Sequence, residues 1–462
     1  MNVIRRLERC HGDRVLSGPR RAAHAHARQS CGGLSADPGR PCPLRTRTAG
    51  VPRYRHVAMP ITYSWLLGLA AVLVAGCGMS GPTPVSSASP RPEFAWARAA
   101  IQLPPEVVEV APGSSAGIQC SPCHAVQASM LLGVTATPDG LLAVGAQLPP
   151  SAAVAYRSAD GRSWTPEPGF AGEEGSVAVG VAAAGGRIVV VGRRGAAAAA
   201  WVRDGGAWQA APAEAALEAP AGGTAEMRAV VAWRHGWVAV GSLDTDASHR
   251  DAAVWTSPDG LRWRRAGSDT DFTRSAAHGI TASADRLVVV GSRTGAAGGE
   301  ATAGAAWTSD DGERWTRIES TAFDAGSMRA ATHGGAGFTA VGFGIGDDRA
   351  AVWSSSDGVD WSLLPSSPAL EALGKPIRMA AVAPAGDGLI VAGWKSDAGN
   401  GSGVVWRSSD GRTWDRVADQ VSMSGGSLVG VAFAGELPVV VGVSGSPDND
   451  QARAWYEGPE TP

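Results

Sequence analysis

Short apolar runs closing on glycine punctuate the chain: LLAVG, IVVVG, WVAVG, LVVVG, FTAVG, LIVAG and PVVVG. Their glycines are Gly145, Gly192, Gly241, Gly291, Gly342, Gly393 and Gly442, at successive spacings of 47, 49, 50, 51, 51 and 49. A period this constant marks an array of supersecondary units. Within each period a first apolar segment (SVAVGVAA, MRAVVAW, MRAATHG, IRMAAVAP, LVGVAFA) leads through a Gly- or Asp-rich turn into the glycine-ended run. A loop of variable length and a tryptophan-bearing pair follow. Four short strands per period, separated by turn signals, predict an all-β repeat. No segment sustains a 3.6-residue period; EAALEAP (214–220) comes nearest, with one or two turns at most.

The tryptophan-bearing pair is written almost identically in five periods, ending at Trp164, Trp263, Trp315, Trp361 and Trp414. In SPDGLRW (257–263) proline suits the second position of a type I turn, and the following glycine suits a left-handed residue. This predicts a three-residue hairpin loop with a bulge, Ser257 opposite Leu261 and Trp255 opposite Trp263. The same register would pair Tyr156 with Trp164, Trp307 with Trp315, Trp353 with Trp361, and Trp406 with Trp414, as cross-strand aromatic clamps. The aspartate is placed to accept N–H groups of its own turn.

These copies resemble the Asp-box of the bacterial neuraminidase repeat, S-x-D-x-G-x-T-W, shortened by one residue to S-x-D-G-x-x-W. The resemblance covers Ser158, Asp160, Gly161 and Trp164; Ser257, Asp259, Gly260 and Trp263; Ser309, Asp311, Gly312 and Trp315; Ser355, Asp357, Gly358 and Trp361; Ser408, Asp410, Gly411 and Trp414. The second period (WVRDGGAW, 201–208) is degenerate, and the seventh stops at ARAWYEGPETP. In that family the box joins the third and fourth strands of a propeller blade, away from the ligand face, so the resemblance implies a structural role. FAWARAAI (94–101) reads as the fourth strand that the seventh period lacks, which would close the ring and leave no unpaired edge. The expectation is therefore an all-β, seven-bladed propeller of four-stranded antiparallel blades over residues 94–462, closed by an N-terminal strand.

The first 76 residues carry 12 Arg against 3 acidic side chains, and the remainder carries 28 Lys+Arg against 40 Asp+Glu, near −12. A body of that charge is a poor partner for nucleic acid. TYSWLLGLAAVLVAGC (62–77) has the short apolar core and small-residue ending of an export signal. Val74-Ala75-Gly76-Cys77 resembles a bacterial lipobox, which implies lipidation at Cys77. Residues 1–50 read as untranslated or disordered, 51–76 as the signal peptide with its lipobox, and 77–93 as a Ser/Pro-rich tether. A lipid-anchored position at the outer face of the cytoplasmic membrane, or otherwise outside the cytoplasm, is expected.

For chemistry, a sialidase would need a tyrosine nucleophile, and only Tyr156 and Tyr456 follow the signal, both in or beside the structural tryptophan slots. Loops after the second and fourth strands of a blade share one face. Asp244, Asp246, His249, Asp251, Asp347, Asp348, Asp448 and Asp450 would gather there as ligand-face candidates. Solvated loops, a Ca2+ site and a carboxylate pair for glycoside hydrolysis are the alternative readings of these acids. CSPCH (120–124) matches the haem c attachment pattern. Outside the cytoplasm, however, Cys120 and Cys123 are expected as a disulfide, and His124 has no axial partner in sight beyond Met130. No metal and no cofactor is assigned. The sequence thus points to a non-catalytic, monomeric envelope lipoprotein that binds or scaffolds an envelope protein or glycan. A glycan-active enzyme, sialidase-like or otherwise, is the alternative, with a haem c or redox protein more remote.

Overall fold

The computed structural model describes residues 95–459 apart from 104–106, 111–122, 127, 149–150, 235, 246–248, 268, 296–300, 336, 373, 397–400, 418 and 447–448. Seven antiparallel sheets follow one another, built from residues 128–166, 176–210, 224–266, 275–318, 326–363, 377–416 and 426–457. The innermost strand of each blade packs on that of the next, and the innermost strand of blade 7 packs on that of blade 1, closing a seven-bladed β-propeller. Valine- and alanine-rich strands fit this architecture because both faces of each sheet are buried between neighbours. Val189, Val289, Val391 and Val440 are all fully enclosed.

The N-terminal segment closes the ring as its sequence predicts. Trp96–Arg98 adds to the outer edge of blade 7, with Ala97 opposite Tyr456. The chain then crosses to the neighbouring blade, where Ala100–Ile101 runs parallel to the outer strand of blade 1, a contact the sequence did not foreshadow. One stretch of six residues therefore pins first and last blades together. A further two-stranded ribbon pairs Val107–Val110 with Cys123–Val126, placing Val110 opposite Cys123 and Glu109 opposite His124.

The periodic glycine has a steric cause. A Cβ on Gly241 would stand 1.9 Å from the carbonyl oxygen of Glu226 on the innermost strand, and the other six glycines meet the equivalent carbonyl at 1.8–2.0 Å. Opposite each glycine the innermost strand bulges by one residue. The extra residues are Leu132, Val179, Arg228, His278, Arg329, Ala380 and Val429 in blades 1 to 7.

The hairpin register differs from the sequence expectation by two residues in every copy. Trp255 lies opposite Arg265, Tyr156 opposite Pro166, Trp307 opposite Arg317, Trp353 opposite Leu363, and Trp406 opposite Arg416. The loop is longer than three residues because side chains, not a tight turn, hold it. In blade 3 the Gly260 N–H donates to Ser257 Oγ at 2.8 Å, and the Leu261 and Arg262 N–H groups donate to Asp259 Oδ1 at 2.9 and 2.8 Å. Trp263 Nε1 donates to the Gly260 carbonyl at 2.7 Å, so the indole plugs the turn from beneath. The Ser and Asp bonds recur around Asp160, Asp311, Asp357 and Asp410. The glycines of all five turns are left-handed, with φ from 70° to 80°.

The upstream tryptophans serve elsewhere. Trp255, Trp307, Trp353, Trp406 and Trp455 donate from Nε1 to Ala216, Asp271, Ala322, Ala369 and Ser422 carbonyls at 2.7–2.8 Å. Each acceptor lies in the connection entering that same blade, so these indoles hold the blades to their connections. The two tryptophans of a copy are a tether and a plug. They are not a cross-strand clamp.

Candidate functional site

The connections between second and third strands and those between blades emerge together at the end of the ring where the innermost strands begin. The sequence gathers its carboxylate candidates there; the structure disperses the described ones among local partners. Asp244 is paired with Arg250, and Asp347 with Arg349. Asp251 accepts the Arg274 N–H at 2.8 Å. Asp348 sits at φ 55° with its carboxylate 3.9 Å from Arg378. His249 is exposed, its carbonyl accepting the Thr245 N–H at 3.0 Å. Asp246 and Asp448 lie outside the described residues, as does the side chain of Asp450. Among the described residues no three His, Cys, Asp or Glu side chains are placed to hold a metal ion.

What does converge is basic. Arg228, His278 and Arg329 are the bulge residues of blades 3, 4 and 5, and Arg378 stands one residue before the core Met379 of blade 6. The bulge turns its extra residue out of the inter-blade packing, so three adjacent blades present polar side chains where blades 1, 2, 6 and 7 present Leu, Val, Ala and Val. Arg228 Nη1 lies 3.3 Å from His278 Nδ1, and Arg329 Nη1 lies 3.4 Å from His278 Nε2. Ser292 Oγ is 3.0 Å from the same Nε2. Glu226 accepts from Arg228 Nε at 2.9 Å and pairs with Arg193 at 3.3 Å. Arg378 stacks 3.9 Å from the Phe343 ring centre, and Arg329 lies 5.1 Å from it.

Burial and the guanidiniums of Arg329, Arg228 and Arg250 hold His278 well below the usual imidazole range, so the ring is neutral. Burial and the charges of Arg228, Arg378 and Arg250 push Arg329 down to about 9. It still carries its charge at neutral pH. A depressed folded-state value for His278 means that the unfolded chain binds the proton more tightly. Stability is then complete above about pH 6.5, the ordinary imidazole value, and declines as pH falls below it. Thermal unfolding midpoints measured from pH 7 to pH 5 should fall in the native protein, and the slope should flatten in His278→Gln.

The remaining sequence candidates fall elsewhere. Tyr156 is buried in the third strand of blade 1, where burial raises its phenol, and Tyr456 is buried in the third strand of blade 7, its hydroxyl donating to the Pro459 carbonyl at 3.1 Å. Met130 is buried in the innermost strand of blade 1. Cys77 and Cys120 lie outside the described residues, as do the side chains of Cys123 and His124. The arginine and histidine cluster was missed by sequence reading, although a signal existed. Aligning the periods on their glycines puts Arg228, His278 and Arg329 in one column of otherwise apolar residues.

No family model matches the sequence, and no curated protein does. Solved structures are similar to this chain at low identity. YCF48 bound to D1 peptide is 13% identical, over 79% of this chain and 98% of that one, at a TM-score of 0.47. The phage phi92 endosialidase is 11% identical over 72% and 68%, at 0.42. The Trypanosoma rangeli sialidase in complex with the inhibitor DANA is 12% identical over 77% and 60%, at 0.40.

Proposed function

We propose that this protein is a non-catalytic binding or scaffolding propeller of the cell envelope, anchored through lipidated Cys77 and engaging a partner with the loop face of its ring. The observation that carries this reading is the composition of that face. Guanidiniums from the innermost strands of neighbouring blades converge around His278, while Asp244, Asp251, Asp347 and Asp348 are each engaged by an arginine or a backbone N–H group. Hydrolysis by paired carboxylates needs two such groups across one bond. A rigid closed ring bearing loops of unequal length suits recognition. The apolar segment ending at Val74-Ala75-Gly76-Cys77 and the Ser/Pro-rich tether support display outside the cytoplasm.

Crosslinking of the protein in its own envelope, followed by pull-down and mass spectrometry, tests the reading. A discrete partner crosslinked to the loops after the second strands is the expected outcome, together with a diacylated N-terminal peptide beginning at Cys77. Turnover of a fluorogenic glycoside that is lost on substituting a loop aspartate would overturn it in favour of a glycan-active enzyme.

A further inference from the structure

We propose that Asp204, at the hairpin tip of blade 2, is a site of spontaneous covalent modification, passing through a cyclic imide to isoaspartate. The chain holds eight Asp-Gly dipeptides, at Asp139, Asp160, Asp204, Asp259, Asp311, Asp357, Asp387 and Asp410. Aspartate before glycine is open to this reaction because glycine sets no side chain beside its own amide nitrogen. The glycine nitrogen bonds to Cγ of the aspartate, the amide proton and the carboxyl O–H leave together as water, and a five-membered imide closes. Water then reopens the ring. Breaking the new N–Cγ bond restores aspartate, whereas breaking the original peptide bond leaves the chain running through Cβ and Cγ as isoaspartate. One water is lost and one regained, so no oxidant or second reactant enters and the mass is unchanged.

The structure guards the other seven dipeptides. In the five Ser-Asp turns the N–H of Gly161, Gly260, Gly312, Gly358 or Gly411 donates to the serine Oγ at 2.8 Å. The carboxylate is held forward by two further N–H groups, as at Asp259 and Asp410. Attack needs the nitrogen released and the side chain turned back onto it, so both sets of bonds must break first. The Thr413 and Arg412 N–H groups also hold Asp410 down to about 2, which makes the protonated carboxyl that can lose water scarce. Gly140 and Gly388 stand opposite Thr137 and Ala385 across two-residue loops, where the N–H after the loop bonds the carbonyl before it. Blade 2 has neither guard. Its hairpin, WVRDGGAW, contains no serine, and among the described residues no acceptor meets the Gly205 N–H. A Cβ on Gly205 would find nothing within 4 Å, so the tip stands open. Arg187 holds the Asp204 carboxylate by one oxygen, donating to Oδ2 from Nε at 3.1 Å and from Nη2. That pair is exposed, and surface pairs hold weakly. Asn400, which also precedes a glycine, lies outside the described residues.

The test is a time course on the full chain, kept in detergent in warm neutral buffer. Samples are digested with an endoproteinase that cuts before aspartate and not before isoaspartate, and the peptides are read by mass spectrometry. Cleavage before Asp204 should be lost, at unchanged mass, about tenfold faster than cleavage before Asp160, Asp259, Asp357 or Asp410, the scale of one hydrogen bond to a charged group. In urea, where the turns are gone, the rates should converge. Ser355→Ala removes the acceptor of the Gly358 N–H and should speed the loss at Asp357 severalfold over the native protein. Loss at Asp204 no faster than at the turn aspartates, or faster loss at Asp139 or Asp387, overturns the assignment. A lead for Asp204 that persists in urea places its cause in local sequence and overturns the structural account. An unchanged rate at Asp357 in Ser355→Ala overturns the guarding role of the serine.

Discussion

Deleting residues 1–102 should open the ring, whereas deleting residues 1–94 should leave it closed. The two constructions differ by the eight residues that carry Trp96–Arg98 and Ala100–Ile101. In the native fold Trp96 and Ala97 are buried at 3% and 0% exposure, and Ala97 faces Tyr456 across the strand pair. Beyond the pairing, the Gly458 N–H donates to the Ala95 carbonyl at 2.8 Å, and Arg98 Nε donates to the Ser422 carbonyl at 2.8 Å. Ala100 and Gln102 N–H groups donate to the Arg162 and Trp164 carbonyls of blade 1 at 2.8 and 3.0 Å. Loss of a buried Trp side chain alone costs about 3–5 kcal/mol. The deletion additionally bares the edge of Asn449–Glu457, a template for pairing with another chain. The shorter form should unfold at a markedly lower temperature and elute as dimers or aggregates in size-exclusion chromatography. A monomer with an unchanged midpoint would show that the strand is dispensable.

Trp353→Ala should cost about 3–5 kcal/mol, the largest single-residue effect expected in the repeat. Its indole is fully buried among Phe323, Met328, Phe338 and Trp361. Gly326 leaves the space the ring occupies, since a Cβ there would come within 3.0 Å of it. Truncation would open a cavity and strand the Ala322 carbonyl that now accepts from Nε1 at 2.7 Å. Trp353→Phe restores most of the packing without the hydrogen bond and should fall between the two in chemical denaturation. Asp357→Ala, at the exposed turn of the same blade, should cost far less, because backbone N–H groups of Asp360 and Val359 bonded to that carboxylate can turn to water instead. Equal losses for Trp353→Ala and Asp357→Ala would contradict this division between core tether and surface turn.

The turns also carry a pH signature of their own. The Thr413 and Arg412 N–H groups hold the Asp410 carboxyl down to about 2. A depressed carboxylate contributes stability above its unfolded value near 4, and that contribution is lost as pH falls towards 2. This window lies well below that of His278, so the two effects separate in a pH series.

The repeat was legible in the sequence because it is written in backbone requirements. The seven glycines recur since no side chain fits beside the innermost-strand carbonyl, and a requirement of that kind leaves the same residue at the same interval in each copy. Seven blades, their four-strand order and the closing role of FAWARAAI all follow from counting those intervals and noticing which period lacks a strand. The register of the hairpins was not legible. Turn rules treat a hairpin loop as backbone alone, whereas Ser257, Asp259 and Trp263 bind that loop through their side chains and lengthen it by two residues on the pairing ladder.

The site divides in the same way. The sequence by itself pointed to a candidate face formed by loops after the second and fourth strands, and it supplied the acids expected there. Only the tertiary structure decided that described acids such as Asp244 and Asp347 are consumed by nearby arginines. It likewise decided that Arg228, His278 and Arg329, each about 50 residues from the next, come together. The physical reason is closure. A bulge turns one residue of each innermost strand away from the inter-blade packing, and the ring then brings those residues within hydrogen-bonding distance. Neither the bulge nor the distance can be read from a single period of the chain.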